Sequence, residues 1–475
     1  MNNLKQELKS VLNNKTQIDN ILKLKFYGGV GSVTGANFLI KDNETKILVD
    51  CGMMQGSGIN CENDPNREDF KFNPADIDYL IVTHGHSDHI GRIPKLVRDG
   101  FQGVIYSTPT TFEIAKVMFE DALNLINYES KKCRMTPVYQ ESDVAAAISL
   151  WKTIPYHTET KINDNFQIYL NDAGHILGST IVNLKHLPSN KNVVFSGDLG
   201  NSPTPLIRNA ETVDNADYLI IESVYGDRNH EGKKERKEKL KEILNKVIER
   251  NGTLLIPVFS LEKTQVLLHE MNDLIEGGEV PVVPTFFDSP LGLKLTEIYS
   301  QQFENFNQQV QDRIKSGDDI FDFPKLIKTP DKKDAAMIRK TKAPKIIIAS
   351  SGMSVGGRII DHEMTYLPDP KNAILFIGYQ AMGSLGRAIL EKKPVIKIYN
   401  KKVPLKAEVA IVNGYSSHMD SNGLTNFVKA TKDVVKKVFV VMGEEGSSEF
   451  LKNRLINELG VDAICPDPES EFDLV

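Results

Sequence analysis

Residues 83–92 read THGHSDHIGR, so His84, His86, Asp88 and His89 fall within six positions. The chain has only 10 histidines in 475 residues, and three of them sit in this one stretch, just after the apolar run YLIV. Two histidines two residues apart on the turn that ends a strand can both reach one ion. Asp88 and His89, opening the segment that follows, can turn toward a second. Imidazole and carboxylate donors without a thiolate suit Zn²⁺ or a similar first-row metal in a hydrolytic site, whereas structural zinc sites more often use cysteine. Three more candidate ligands stand at strand ends. They are His175 in DAGHILGS, Asp198 in VVFSGDLG and Asp50 closing KILVD. A lone aspartate after a strand is most often a turn-former. The joint presence of HxHxDH, GHILGS and SGDLG is not explained that way.

Such donors need rigid strand ends to hold them. In the first half KILVD, YLIVT, NFQIYL, STIVNL and NVVFSGD are short apolar or alternating runs bounded by Gly, Asn or Asp, the pattern of strands. Asp88 and His89 are expected to open one helix, DHIGRIPKLVRDG, stopped by Gly100. From about residue 229 strands alternate with helices. GTLLIPVF leads into SLEKTQVLLHEMNDLIEGG, and VPVVPTFFD into SPLGLKLTEIYSQQF, with KIIIASS and AILFIGYQ later. That is the pattern of a parallel α/β unit. After about residue 394 VPLKAEVAIVNG and KKVFVVMG return to the earlier style. The expected organisation is an N-terminal arm (1–23), the first part of one domain (24–228), an inserted α/β domain (229–393) and the rest of the first domain (394–475). The polar loop at residues 55–75 reads as a lid or a surface excursion.

Composition limits the classes of function. Hydrophobic residues make up 40% and charged residues 25%, the profile of a globular protein. No stretch approaches the roughly 20 apolar residues needed to cross a bilayer, and MNNLKQELKSVLNN has no signal-peptide core. The expected location is cytoplasmic, with no membrane partner. Cys51, Cys61, Cys133 and Cys465 show no CxxC spacing, so neither a zinc knuckle nor a disulfide framework is expected, in keeping with a reducing compartment. A net charge of −6 argues against binding nucleic acid by bulk charge. A polyanion must then meet a local cation, a helix end or a metal. The run GKKERKEKLKEILNKVIER (232–250) reads as a surface helix with a solvated charged face.

VDCG, THGHSDHIGR, AGHILGS and SGDLG resemble the metal-binding motifs of the metallo-β-lactamase fold. IIESVYGDR, DSPLGLKLTEIY, IIIASSGMSVGGR, FIGYQAMGSLGR and NGYSSHMD resemble signatures of its β-CASP nucleases, in the right order from about Leu24 to about Glu445. The resemblance implies an α/β fold, an αββα sandwich with an inserted parallel α/β (β-CASP) domain, and two zinc ions at one edge. His84, His86 and His175 would hold one zinc, and Asp88 and His89 the other. Asp198 would bridge them, and Asp50 would orient a ligand from behind. Glu222 would orient a neighbouring histidine, and His418 would protonate the leaving oxygen. Ser350, Ser351, Arg358, Gln380 and Arg387, on two glycine-rich loops, would form a phosphate-binding floor. The implied reaction is hydrolysis of RNA phosphodiester bonds by a two-metal-activated hydroxide, leaving 5′-phosphate and 3′-hydroxyl. It would proceed in endo- or 5′-exonuclease mode on single-stranded RNA.

The chain departs from the family pattern in two places. RNA-cleaving members usually carry a histidine in a VHGE-like motif, and here VFVVMGEE puts Met442 there. A thioether is a poor ligand for Zn²⁺, which puts the second metal site in doubt: it is weak, recruits another donor, or fills only with substrate present. In FSLEKTQ, Glu262 and Lys263 stand where the family often shows glycine and arginine, which weakens a phosphate role for this helix start. Alternatives therefore stay open: a DNA nuclease of the same fold, a catalytically weak RNA-binding protein, and a small-molecule hydrolase. A homodimer is compatible with the sequence.

Overall fold

The computed structural model describes residues 21–56, 59–230 and 233–475, the side chains of 233 and 234 excepted. The expected arm at residues 1–23 lies outside it as far as residue 20. Leu22 and Lys23 already belong to the first strand, Leu22–Gly28. That strand pairs antiparallel with Asn37–Lys41 on one side and with Glu471–Leu474 on the other.

Two seven-stranded sheets form the main domain. The first runs Glu471–Leu474, Leu22–Gly28, Asn37–Lys41, Lys46–Val49, Tyr79–Ile81, Val104–Ser107, Trp151–Thr153. The second runs Ala463–Ile464, Lys437–Val441, Tyr218–Glu222, Lys191–Phe195, Thr180–His186, Phe166–Asp172, Thr160–Lys161. Strands covered on one face alternate, as Leu22–Gly28 and Phe166–Asp172 do. Tyr218–Glu222, covered on both, is buried throughout. One core cluster joins Leu24, Phe26, Phe38 and Val49 of the first sheet to Phe166, Val182, Phe195 and Phe439 of the second. Phe26 contacts Phe38 edge-on and leans on Phe439, with ring centroids 5.9 and 5.4 Å away. Truncating such a ring to alanine costs about 3–5 kcal/mol. The outer face of the first sheet is covered by the helices Ile93–Arg98, Pro109–Cys133 and Glu141–Ser149. Ser421–Thr431 and Glu445–Leu459 cover the second. The layers are helix, sheet, sheet, helix.

The insert carries a six-stranded sheet, in the order Leu326–Lys328, Thr285–Asp288, Lys345–Ala349, Thr253–Pro257, Ala373–Phe376, Glu408–Ile411. Every pairing in it is parallel. Its two faces are buried under separate core clusters. Helix Lys233–Glu249 packs Leu240, Ile243, Leu244 and Val247 into one of these, so the charged run is a surface helix with one packed face.

Three expectations change. The inserted sheet continues past residue 393, because Glu408–Ile411 pairs with Ala373–Phe376. The short apolar run Val409–Ala410–Ile411 marks a strand but does not say which sheet it joins. The helix expected from Asp88 to Gly100 is two short helices, Ser87–Ile90 and Ile93–Arg98, interrupted at Gly91 and Arg92. Pro94, which has no N–H, fits the first turn of the second helix and not the interior of a single one. Finally, Cys61 and Cys133 form a disulfide with Cα atoms 5.4 Å apart, against the expectation of no disulfide framework. Spacing alone could not show it, since the partners are 72 residues apart. The bond ties the polar loop to the end of the long helix Pro109–Cys133. Arg67 adds a hydrogen bond from Nη1 to Thr136 O, 2.6 Å, and Phe70 packs under the Arg92 guanidinium. The described part of the loop is therefore docked on the domain. No helix among the described residues is long and apolar enough to cross a membrane.

A cross-link closing a segment of this length restricts the unfolded chain by about 4 kcal/mol in the entropic account. Denaturant unfolding of the Cys61→Ser/Cys133→Ser variant is expected to show a loss of that order against the oxidised protein. Equal midpoints would show that the bond does not constrain the unfolded chain.

Candidate metal centre

Strand register brings the candidate ligands to one edge. In the first sheet Lys46–Val49 and Tyr79–Ile81 run parallel, with Val49 beside Ile81, so Asp50 and Thr83 leave the sheet together. In the second, Phe195 pairs with Ile220 and Glu222 with Val441, so Asp198, Glu222 and Met442 emerge side by side. The loop bearing His175 joins Phe166–Asp172 to Thr180–His186 at the same edge.

Three imidazole nitrogens converge. His84 Nε2 lies 3.0 Å from His86 Nδ1, and His175 Nε2 lies 3.3 Å from that same atom. Asp198 Oδ2 is 3.5 Å from both His84 Nε2 and His175 Nε2. The outer nitrogens of His84 and His175 have partners. His175 Nδ1 donates to Ser417 O at 3.2 Å, and His84 Nδ1 faces Thr83 Oγ1 at 3.1 Å. The His175 bond fixes the tautomer, leaving its inner nitrogen as a lone pair. Burial pushes His84 and His175 well below the usual imidazole range, and His86 down to about 3. The inner nitrogens of His84 and His175 thus both face His86 Nδ1.

His89 stands beside this group. Its Nδ1 donates to Asp50 Oδ2 at 2.7 Å, and its Nε2 lies 3.3 Å from Asp198 Oδ1. Neither Nε2 nor that oxygen has a hydrogen-bond partner, although both are buried. Burial opposes protonation of His89, but the charges of Asp198 and Asp50, with the Asp50 hydrogen bond, outweigh it and raise its pKa well above the usual value. Asp50 is itself held by Thr83, from N at 2.8 Å and from Oγ1 at 2.8 Å. Asp88 is partly buried nearby, its carboxyl pushed up to about 6, first by burial and, against the pull of His89, by the charge of Asp198. Gly52 lets its segment approach the one that carries Asp88, since a Cβ there would sit 1.5 Å from Asp88 O.

These residues fit divalent cations. Asp50, Asp88, Asp198 and Glu222 have no lysine or arginine ion-pair partner among the described residues, and a buried carboxylate needs a counter-charge. The donors are nitrogen and oxygen only, and the atoms of His84, His86, His175 and Asp198 lie within 4.8 Å of one another. Met442 lies beside the second group. It lines a small space with Asp50, Thr83 and His89, at φ 49°. Its sulfur lies toward Gly29, where a Cβ would come within 2.6 Å of it.

A second cluster adjoins the first. His418 Nδ1 is 3.3 Å from Glu222 Oε1 and 3.9 Å from Asp198 Oδ2. Glu222 is anchored by the N–H of Leu199 at 2.7 Å and of Val224 at 3.3 Å. Burial disfavours the charged form of His418, yet Glu222 prevails and raises its pKa. His230, which the sequence did not single out, donates from Nε2 to His418 O at 2.9 Å. Thr83, contacting Asp50, His84 and His89, was also missed. Its only sequence signal was its place at the head of the motif.

A cleft of about 460 Å³ opens beside this cluster, between Tyr225, Arg228 and His230 on one side and Lys263, Tyr379 and Arg387 on the other. Of the five residues expected on its floor, Gln380 and Arg387 line it. Gln380 Nε2 donates to Gly352 O and Gly378 O, and Arg387 pairs with Glu391 at 2.8 Å. Arg358 is instead bound to Asp288 at 2.6 Å and to the carbonyls of Thr329 and Pro330. Ser350 meets Ser289, and Ser351 bonds within its own loop. The polar atoms of these three, all on the loop at 350–358, are taken by Asp288, Ser289 and backbone groups.

The chain is similar to known proteins. The metallo-beta-lactamase superfamily profile matches residues 31–257, the Beta-Casp domain 264–389, and the Zn-dependent metallo-hydrolase RNA specificity domain 402–466. Ribonuclease TTHA0252 of Thermus thermophilus is 31% identical over 88% of this chain and 92% of its own. An RNase J-like protein of Methanocaldococcus jannaschii is 30% identical, over 90% and 93%. Transcription termination factor FttA of Methanosarcina mazei is 29% identical, over 94% and 71%. A crystal structure of a protein of unknown function from Enterococcus faecalis V583 superposes with a TM-score of 0.58 at 11% identity, covering 95% of this chain and all of that one. It shares the fold.

Asp50→Ala removes the acceptor that orients His89, and divalent-metal affinity is expected to fall about 10- to 100-fold in competition with a chromophoric chelator. Unchanged affinity would show that Asp50 orients nothing. Met442→His is expected to raise the metal-to-chain ratio after equilibrium dialysis. An unchanged ratio would show that the thioether does not limit the second site.

Proposed function

The chain belongs to the β-CASP branch of the metallo-β-lactamase superfamily, and on that premise we propose that it is a zinc-dependent ribonuclease that hydrolyses single-stranded RNA. The observation that carries this reading is the juxtaposition of the nitrogen–oxygen cage with the Asp198–Glu222–His418 cluster, beside a cleft lined by Tyr225, Tyr379, Arg228, Lys263 and Arg387. Aromatic faces and cations along one groove suit a flexible strand, whose bases stack and whose phosphates pair. A small hydrolysable substrate has no use for such a groove.

His84, His86, His175 and Asp198 would hold one zinc ion, and Asp88, His89 and Asp198 a second. Bound there, zinc lowers the pKa of water and offsets charge on the phosphate oxygens. Asp50 and Thr83 hold the His89 ring, and Ser417 holds that of His175. Water adds its oxygen to phosphorus, giving up a proton to solvent, and the bond from phosphorus to the upstream 3′ oxygen breaks. His418, held through Nδ1 by Glu222, donates its Nε2 proton to that oxygen. The products are a 5′-phosphate and a 3′-hydroxyl. Gln380 and Arg387 line the strand's path.

The test is incubation of the purified protein, its zinc measured per chain, with end-labelled single-stranded RNA and DNA. RNA cleavage is expected, abolished by chelator and by His84→Ala. His418→Asn is expected to lower kcat by about a hundredfold or more with bound metal unchanged. Cleavage of DNA alone would make the protein a DNA nuclease, and binding without cleavage would make it an RNA-binding protein.

A further inference from the structure

Helix Lys263–Glu276 begins with an unusual turn. Glu262, just before it, has φ 62° and ψ −61°, and the N–H of Lys263 donates to Leu261 O at 2.9 Å. That is a γ-turn of the rare, strained hand, and such strain persists only where surrounding structure enforces it. Here the enforcement is visible. Glu262 is buried, and its Oε2 accepts a 2.6 Å hydrogen bond from the Tyr299 hydroxyl. That hydroxyl in turn accepts from the N–H of Leu177, at 3.2 Å, two residues beyond His175. The turn is thus tied to the loop that carries a candidate metal ligand.

The turn aims Lys263. Its ammonium lies 4.4 Å from the centroid of the Phe259 ring, and no carboxylate pairs with it among the described residues. Lys263 lines the cleft together with Tyr225, Tyr379 and Arg387, and also a smaller space shared with His175 and Ser417. Its charge is felt at His86 and His418, where it disfavours protonation. The adjacent carboxyl of Glu262 does not neutralise it, since burial lifts that group to about 8, against the pull of the Tyr299 hydrogen bond. Burial lowers Lys263 only to about 8, so the ammonium keeps most of its charge near pH 7. A half-buried cation without a counter-ion, opening on a cleft, calls for an anion.

We propose that Lys263 binds a non-bridging phosphate oxygen of the RNA strand in the cleft, and that the Glu262 γ-turn, latched by Tyr299, positions it there. The proposal rests on the ribonuclease reading and adds a substrate-binding residue to it. An ammonium is a point charge without the fork of a guanidinium, so the contact is to the backbone and indifferent to base sequence.

Lys263→Met is the test, with Lys263→Arg as the variant that restores the charge. Lys263→Met is expected to raise KM for single-stranded RNA about tenfold, with a smaller change in kcat and the same penalty for different sequences. In a His418→Asn background that keeps the strand intact, the slope of log affinity against log salt is expected to become shallower by about 0.7. Lys263→Arg is expected to restore most of both, with bound zinc and melting temperature unchanged throughout. Loss of kcat without a change in KM or slope would overturn the proposal, as would a lowered melting temperature with an unchanged slope. If the unaltered protein cleaves RNA and Lys263→Met leaves KM and slope alone, only the Lys263 assignment falls. If the unaltered protein neither binds nor cleaves RNA, the ribonuclease reading falls and this proposal with it.

Discussion

Lone pairs that face one another in a buried space repel unless something positive lies between them. His84, His86 and His175 aim ring nitrogens at a common point, and Asp198 adds a carboxylate to the same group. Much of the surrounding structure exists to hold that arrangement. Thr83 and Ser417 take the outer nitrogens of His84 and His175, and Asp50 takes that of His89. Partners on the outer nitrogens of His84 and His175 leave their inner nitrogens as acceptors toward the centre. The cost of gathering unpaired carboxylates in low dielectric is offset when divalent cations occupy the site.

The sandwich supplies the rigidity this needs. Parallel pairing within each sheet delivers Asp50 and Thr83 from one sheet, and Asp198 and Glu222 from the other, to a single edge. The aromatic core between the sheets sets their spacing. Three departures from ordinary backbone geometry lie at or beside that edge. Asp50 and Met442 take left-handed conformations where strands end, and Glu262 does so at the start of a helix facing the cleft. Aspartate tolerates this region better than methionine or glutamate, so the latter two positions are the more strained.

The insert contributes the facing wall. Its parallel sheet is buried on both sides, and its loops end at the cleft, where Lys263, Tyr379, Gln380 and Arg387 are presented. The glycine-rich loops do not bring all their polar residues there. Arg358 is drawn inward by Asp288, which lies 70 residues earlier in the chain and also accepts from His362. Local sequence marks such an arginine as a phosphate clamp, and a distant buried carboxylate reassigns it.

The sequence by itself determined the metal chemistry and the kind of fold, because ligand type, ligand spacing and apolar periodicity are local properties. HxHxDH fixed nitrogen and oxygen donors after a strand, and the alternation of strands with helices marked the insert. Tertiary structure decided whatever depends on partners far apart in the chain. It joined Cys61 to Cys133, carried the inserted sheet on to Ile411, turned Arg358 away from the cleft and left Lys263 facing it without a counter-ion. The physical reason is that pairing, burial and charge compensation are set by three-dimensional neighbours, and spacing along the chain carries no record of them.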